Sequence, residues 1–359
     1  MLNERLINWL SRGVADKSVG STTRPSIAIA TDIGLVRKEN QDRVACMRFN
    51  PKAGQGLPFF VIALSDGMGG MKDGGQCAVR TISTFFSSLV RYRDVSLVER
   101  LQNAAIEANF NVFDYSGGHG GATLSAVLIS LDGSAITLNV GDSRIYAESG
   151  SNKKTLERLT VDDSLEEMVG GHGRGLLQFI GMGEGIRCHI KYVAPEFDKL
   201  LLTSDGVHFI SHATLEDVFV NASEPFQIVS RLSALARWSG GPDNASLAVL
   251  SIAKIEGDLQ ESDSESLYFW DSFSELNILW LKQEASFESL SVVSKKIEDE
   301  AAVQSELMLK KTPDDFSVIA KKNTKPKRAR PRVSKKNQEK LQIVIEMDAN
   351  MESGDDSSR

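Results

Sequence analysis

The sequence is poor in the side chains that most often carry hydrolytic or redox chemistry. It holds three cysteines, Cys46, Cys77 and Cys188, an odd number without metal-type spacing. That pattern argues against a disulfide framework and predicts reduced thiols in a cytoplasmic protein. A thiolate phosphatase needs an arginine six positions after its cysteine, to close a loop around phosphate. Lys52, Ser83 and Ala194 stand there instead. The histidines, His119, His172, His189, His208 and His212, form no HExxH pair, which removes zinc hydrolysis of that type. Long apolar runs are missing too: "FFVIAL" is far short of the roughly 20 residues that cross a bilayer. The opening "MLNERLINWLSRG" spaces Leu2, Leu6, Trp9 and Leu10 along one helical face, without the continuous apolar stretch of a signal peptide. A docking helix is expected.

What is present is a layered soluble domain. The net charge of −7 argues against wholesale nucleic-acid binding. Between Pro25 and Lys254, strands are expected at "SIAIATD", "RVACMRF", "FFVIALSD", "TLSAVLISL", "AITLNV", "RIYAES", "CHIKYVA", "KLLLTSD" and "ASLAVLSIA". Helical spacing appears in Val79, Ile82, Phe86 and Leu89, then in Leu97, Leu101, Ala104 and Ala108. A further helix is expected over 224–238, with Ser223 as its cap. Strands cluster and helices pair, so an antiparallel or mixed two-sheet core with flanking helices is favoured over strict βαβ alternation. After residue 256 the texture changes. "EGDLQESDSES" reads as a linker, an aromatic stretch runs from Tyr268 to Trp280, and "KKNTKPKRARPRVSKK" is basic. The expected organisation is an N-terminal segment (1–24), a catalytic domain (25–255), and an appendage with a mobile basic tail (256–359).

Acids recur where apolar strands end. "ALSDGMGG" gives Asp66 followed by Gly67, "LTSDG" gives Asp205, "GPDNAS" gives Asp243, and "RKENQD" gives Arg37 and Asp42. Hard divalent ions such as Mg²⁺ and Mn²⁺ take oxygen ligands, with few carboxylates and water for the rest. One such turn is only a turn. Four of them, each beside a β-like run, predict a metal centre.

In this order the motifs resemble the metal-dependent type 2C serine/threonine protein phosphatases, in a bacterial-like form, over about residues 25–253. The resemblance implies an α+β fold, a four-layer αββα sandwich of two mostly antiparallel sheets flanked by helices. It implies phosphoserine and phosphothreonine hydrolysis by a metal-activated water, with two Mn²⁺ or Mg²⁺ ions as cofactors. Arg37 falls at the phosphate-binding position and Asp42 near the metal water network. Asp66 would bridge the two ions, the Gly67 carbonyl would contact one, and Asp205 and Asp243 would complete the set. Asp142, in "NVGDSRIY", falls at a third, weaker site. The partner implied is a phosphorylated protein, the target of a Ser/Thr kinase or the kinase itself.

Departures from the family pattern carry information. Met68 stands where some members have a histidine able to donate a proton, and Gln41 replaces an acid. The stretch after Thr160 passes quickly to the next strand, so a short flap and an open cleft are expected. "GHGRG" (171–175) reads as a surface loop. "KKTPDDFSVIAKK" (310–322) imitates the last motif and would put Asp314 or Asp315 in place of Asp243, leaving "GPDNAS" unexplained. A pseudophosphatase that binds phosphoproteins without turnover is the alternative function, and the intact Arg37, Asp66, Asp205 and Asp243 weigh against it. The basic run "KPKRARPR" suits an acidic protein partner better than nucleic acid, since no aromatics interleave it.

Overall fold

The computed structural model describes residues 2–22, 26–51, 56–71, 73–150, 153–170, 175–261 and 266–279. The chain opens with α1 (Leu2–Leu10), β1 (Lys17–Thr22), β2 (Ile27–Asp32), β3 (Arg43–Asn50) and β4 (Phe59–Ser65). Two long helices follow, α2 (Gly74–Arg91) and α3 (Leu97–Ser116), then β5 (Leu124–Ser130), β6 (Ala135–Val140), β7 (Arg144–Ser149) and β8 (Thr155–Arg158). The chain continues through α4 (Leu165–Val169), β9 (His189–Tyr192), β10 (Lys199–Thr203), α5 (Asp205–His208), α6 (His212–Val220) and α7 (Pro225–Trp238). It closes with β11 (Ala245–Ser251), α8 (Ile252–Gln260), β12 (Ser266–Trp270) and β13 (Glu275–Leu279).

The strands form two sheets, one ordered β1-β2-β11-β10-β7-β8 and the other β13-β12-β3-β4-β5-β6-β9. Neighbouring strands pair antiparallel throughout. Period-2 geometry sorts each central strand between two cores. In β4, Phe59, Val61 and Ala63 face the core beneath α1, α2 and α3, while Phe60, Ile62 and Leu64 face the layer between the sheets. A third core joins the first sheet to α6 and α7 through Leu201, Leu247, Val249, Phe219 and Leu232. The architecture is the expected α+β sandwich, and its four layers explain the strand sequences. A strand covered on both faces is buried at every position, so β4, β5 and β11 are mostly apolar, with small serines as their only polar residues.

Local signals decide the helix ends. Ser96 caps α3 by accepting from Glu99 N–H, and Gly117 ends it in the left-handed region at φ 66°. Ser223 does not cap α7: the N-cap is Glu224, without a side-chain bond, and Pro225 sets the first turn instead. The buried face of that helix is Ile228, Val229, Leu232 and Ala236, whereas Phe226 is exposed.

The chain beyond residue 255 does not begin as a linker. "EGDLQ" continues α8, with Ile255 and Leu259 buried in the inter-sheet core. β12 pairs with β3 along Cys46–Asn50 and buries Leu267, Phe269 and Trp270. At the other end, Leu6 and Leu10 of α1 enter the core beneath α2. The compact unit that holds the two sheets takes in α1 and β1 as well as the hairpin β12–β13. The physical reason is apolar area: Phe269 and Trp270 in water would each forfeit about 2–3 kcal/mol of burial. Trp280, the basic run, "KKTPDDFSVIAKK", and residues 171–174 of the glycine-rich loop lie outside the described residues.

Candidate active site

Antiparallel register brings the singled-out acids to one end of the sandwich. Asp32, the last residue of β2, pairs with Ala245, the first of β11, two residues after Asp243. β10 ends at Thr203, opposite Leu247 on one side and Arg144 on the other, which puts Asp205 beside Asp243 and Asp142. In the second sheet Arg43 pairs with Ser65, so Asp42 and Asp66 leave their strands together. Leu124 pairs with Val140, which brings the turn holding Asp142 to the same edge.

Each acid is held differently. Asp66 is fixed by its backbone: its N–H donates to Thr123 Oγ1 at 2.9 Å, and Thr123 N–H donates back to the Asp66 carbonyl at 2.8 Å. Thr123 Oγ1 also bonds Ser143 Oγ at 2.7 Å, coupling the Asp66 and Asp142 turns. Asp42 is only 2% exposed; its Oδ2 accepts from Ser204 Oγ at 2.8 Å, and its Oδ1 is buried without a bond. Ser204 Oγ in turn accepts from Ser246 N–H at 2.9 Å. Asp243 Oδ1 accepts from its neighbour Asn244 N–H at 2.8 Å, and Asp243 Oδ2 takes the Arg37 Nη2 donor at 2.6 Å.

The electrostatics confirm that these groups share one field. Burial pushes the Asp42 carboxyl up to about 7, with further push from Asp205 and Asp243, against the opposing bond from Ser204. Burial, then Asp205 and Asp162, raise Asp142 to about 7. Asp66 is held well above the carboxylate range by burial and then by Asp42, Asp205, Asp142 and Asp243. Arg37 is raised, first by its bond to Asp243 and then by charge from Asp243, Asp205 and Asp66, against partial burial. Clustered carboxylates of this kind call for cations.

Three glycines leave room for a backbone that crosses close by. A Cβ at Gly67 would lie 2.2 Å from the Gly74 carbonyl oxygen, and one at Gly206 only 1.9 Å from that of Asn244. Gly34, at φ +82°, would meet the Asp243 carbonyl oxygen at 2.3 Å. The "SDG" and "SDGMGG" signatures therefore record chain crossings packed backbone on backbone at the floor of the cleft.

The donor set is all hard oxygen, with an unbonded buried oxygen at Asp42, which suits Mg²⁺ or Mn²⁺. Among the described residues no three His, Cys, Asp or Glu side chains close on a single point, so the acids share one end of the sandwich without forming a finished nest. The flap closes on itself where Ser164 pairs with Leu176, and α4 within it buries no residue. That excursion is short, as the spacing after Thr160 implies. Met68 N–H donates to the Gly121 carbonyl at 3.0 Å, and its thioether has no proton to give.

Three residues that sequence reasoning passed over organise the site. Asn244 accepts from Gln41 N–H and donates to the Ile33 and Glu39 carbonyls, welding the first and last motifs. Its place beside Asp243 was a usable signal. Ser204 could have been found the same way, next to Asp205. Arg43 donates from Nη1 to the Asn40 and Asp42 carbonyls at 2.8 and 2.7 Å, and no local pattern marks it. Among the described residues the cysteines form no disulfide, and no helix is long and apolar enough to cross a membrane.

Solved structures share this architecture. The PPM Ser-Thr phosphatase MsPP from Mycobacterium smegmatis, solved with cacodylate, is 26% identical with a TM-score of 0.51, over 63% of this chain and 97% of that one. PppA, a key regulatory component of T6SS in Pseudomonas aeruginosa, is 25% identical with a TM-score of 0.51, over 66% and 99%. The catalytic domain of the serine threonine protein phosphatase PstP, solved with two manganese ions, is 24% identical with a TM-score of 0.52, over 66% and 98%, and speaks to the fold alone. No curated protein sequence matches the chain significantly. The family model for protein phosphatase 2C matches residues 37–248, from the arginine at the rim of the acidic cleft to the strand that follows Asp243. With the fold, the order of the motifs and that match in agreement, the chain belongs to the protein phosphatase 2C family.

Proposed function

We propose that the protein is a metal-dependent phosphoprotein phosphatase acting on phosphoserine and phosphothreonine. The observation that carries this reading is the ring formed by Asp42, Asp66, Asp142, Asp205 and Asp243, with Arg37 at its rim. Asp66, the Gly67 carbonyl, Asp205 and Asp243 would hold two divalent ions, Mn²⁺ or Mg²⁺, and Asp142 a third. When bound, such ions supply a water acidic enough to attack phosphorus near neutral pH.

The chain's own residues do the rest. Arg37 is 44% exposed at its side chain and so can turn from Asp243 to the substrate. Its planar fork then pairs with two phosphate oxygens, and its charge offsets what builds up there in the transition state. That movement also releases Asp243 Oδ2 to bind a cation. Asp42, buried and bonded to Ser204, would orient water at the floor of the cleft. Met68 offers no acid, so a leaving serine or threonine oxygen must take its proton from water. The short flap leaves the cleft open to a folded phosphoprotein, whether a kinase or its target. Release of phosphate from a phosphothreonine peptide, measured with Mn²⁺, with EDTA and in Asp66→Asn, tests the reading. Metal-dependent turnover that the variant abolishes is expected; equal turnover by a folded Asp66→Asn protein would refute it.

A further inference from the structure

We infer that Arg43 is a positioning residue for the Asn40–Asp42 turn, and that α1 and the hairpin β12–β13 form a brace that acts on the site through it. Both braces lie outside residues 37–248, the span matched by the family model.

The connection can be followed bond by bond. Arg43 Nη1 donates to the Asn40 and Asp42 carbonyls, while its Nε donates to the Leu10 carbonyl at 3.1 Å. Leu10 is the last residue of α1, a helix without a basic residue in its final turn. A helix C-terminus carries unsatisfied carbonyls and partial negative charge, which a cation stabilises. Arg43, from the first residue of β3, supplies one such cation at Leu10 and Arg12 Nη1 another at the Trp9 carbonyl, and the Arg43 guanidinium serves both the helix end and the turn. α1 cannot drift from this point, because Leu6 and Leu10 are buried.

Two residues past the helix, the link passes to the C-terminal hairpin. Arg12 Nη2 donates to both Asp271 carboxylate oxygens, at 2.8 and 2.6 Å. Asp271 sits in the turn between β12 and β13, where its Oδ1 also accepts from Phe273 and Ser274 N–H. Ser18 Oγ adds a bond of 2.6 Å to the Ser272 carbonyl. A cavity of about 200 Å³ lies between these parts, bounded by Leu10, Arg12, Asp42, Arg43 and Asp271. The gap means that polar bonds, not close side-chain packing, carry the link across it. On the opposite side the same turn is held by Asn244, Thr31 and, at the Asp42 carboxylate, Ser204. Without Arg43 it would be fastened along one edge.

Bonds of this kind behind a reacting group set its orientation and not its identity. Losing one costs on the order of 10-fold to 100-fold in activity or metal affinity. Turnover reports on the brace only if the phosphatase reading holds, whereas amide exchange reports on it regardless. The test therefore uses the full chain as wild type, Arg43→Gln, Arg43→Lys and Arg12→Met. It reads exchange at Gln41 and Asp42, Mn²⁺ affinity by calorimetry, and kcat and KM on a phosphopeptide. Arg43→Gln should speed exchange at both amides by on the order of 10-fold. It should weaken Mn²⁺ binding and lower kcat by about 10-fold or more, with KM nearly unchanged. Arg43→Lys should recover part of each. Arg12→Met, remote from the cleft, should act in the same direction and add little in the Arg43→Gln background, because both cut one chain of contacts. A wild type without turnover, but with faster exchange in the variants, would sink the phosphatase reading and leave the brace standing. Unchanged exchange in folded Arg43→Gln, or in Arg12→Met should Arg43→Gln not fold, would overturn the brace.

Discussion

Asp42 should make the metal-free protein less stable as pH rises. Its carboxyl is 2% exposed and is pushed by burial up to about 7, against bonds from Ser204 and Ser246. In the unfolded chain the same group titrates near about 3.9. Between these values the folded state keeps a proton that the unfolded state has lost, so unfolding becomes easier with each increment of pH. The stabilisation is complete below about pH 4, falls through the window, and is gone above about pH 7. At about 1.4 kcal/mol for each pH unit, the gap comes to about 4 kcal/mol at most. In a chain of this size that is on the order of 10 °C in Tm. Other groups slope the opposite way: Glu148, against its burial, is lowered by Lys154 and Lys199, and half-buried His208 is lowered by desolvation. Both lose stability as pH falls. The decisive quantity is therefore the difference between wild type and Asp42→Asn, since the amide still accepts from Ser204 but cannot ionise. Thermal melts in EDTA at pH 5 and pH 8 should show the variant gaining on wild type at the higher pH. Mn²⁺ at pH 8 should narrow the difference, because bound cations stabilise the ionised ring. Equal differences at the two pH values would refute the picture of uncompensated buried charge.

Arg37→Ala should cost about 2–4 kcal/mol in kcat/KM on a phosphopeptide, with Arg37→Lys recovering only part, since an ammonium cannot make the two-pronged contact. Full activity in the lysine variant would count against that role. Gly206→Ala should destabilise the protein by about 1–3 kcal/mol or more, since its Cβ must displace the Asn244 backbone. A wild-type urea midpoint would show that the crossing is looser than described. Ending the chain after Lys282 should leave turnover on a small phosphopeptide intact, whereas ending it after Lys254 should destabilise the fold by removing Leu267, Phe269 and Trp270 from the core. Loss of turnover in a folded 1–282 protein would restore Asp314 or Asp315 as the rival to Asp243.

The sequence carried the two-sheet core and the acidic ring for the same reason: both are written in short local patterns. An apolar strand followed by Asp-Gly signals a buried strand and an acid at its end. Nine strands and four of the helices could be found that way. Where the signal failed, the structure spends non-local energy. β12 reads as an aromatic stretch after an acidic linker because nothing nearby shows that β3 has an open edge for Cys46–Asn50 to share with it. α8 was hidden because its apolar residues, Ile252, Ile255 and Leu259, are few and stand among charges. Ser223 looked like a cap, but Pro225 already fixes the first turn of α7 and leaves the serine no helix end to serve.

The same division runs through the site. Asp66, Asp205 and Asp243 were legible because each ends or begins a strand, whereas the backbone crossings at Gly67 and Gly206 appear only in the structure. Arg43 was not, since its three acceptors, Leu10, Asn40 and Asp42, include one 33 positions away in the sequence. The Arg12–Asp271 pair spans 259 positions and has no local signature at all. Local pattern thus marks the groups suited to the chemistry, and long-range polar contacts mark the groups that hold them still. In this chain the first kind sits within residues 37–248, and much of the second kind comes from segments on either side of that span. A protein carrying the motifs alone would keep its acids but lose β2, the buried hairpin residues Leu267, Phe269 and Trp270, and the fastening behind Asp42, so its deficit should appear in the stability of the fold as well as in kcat and Mn²⁺ affinity.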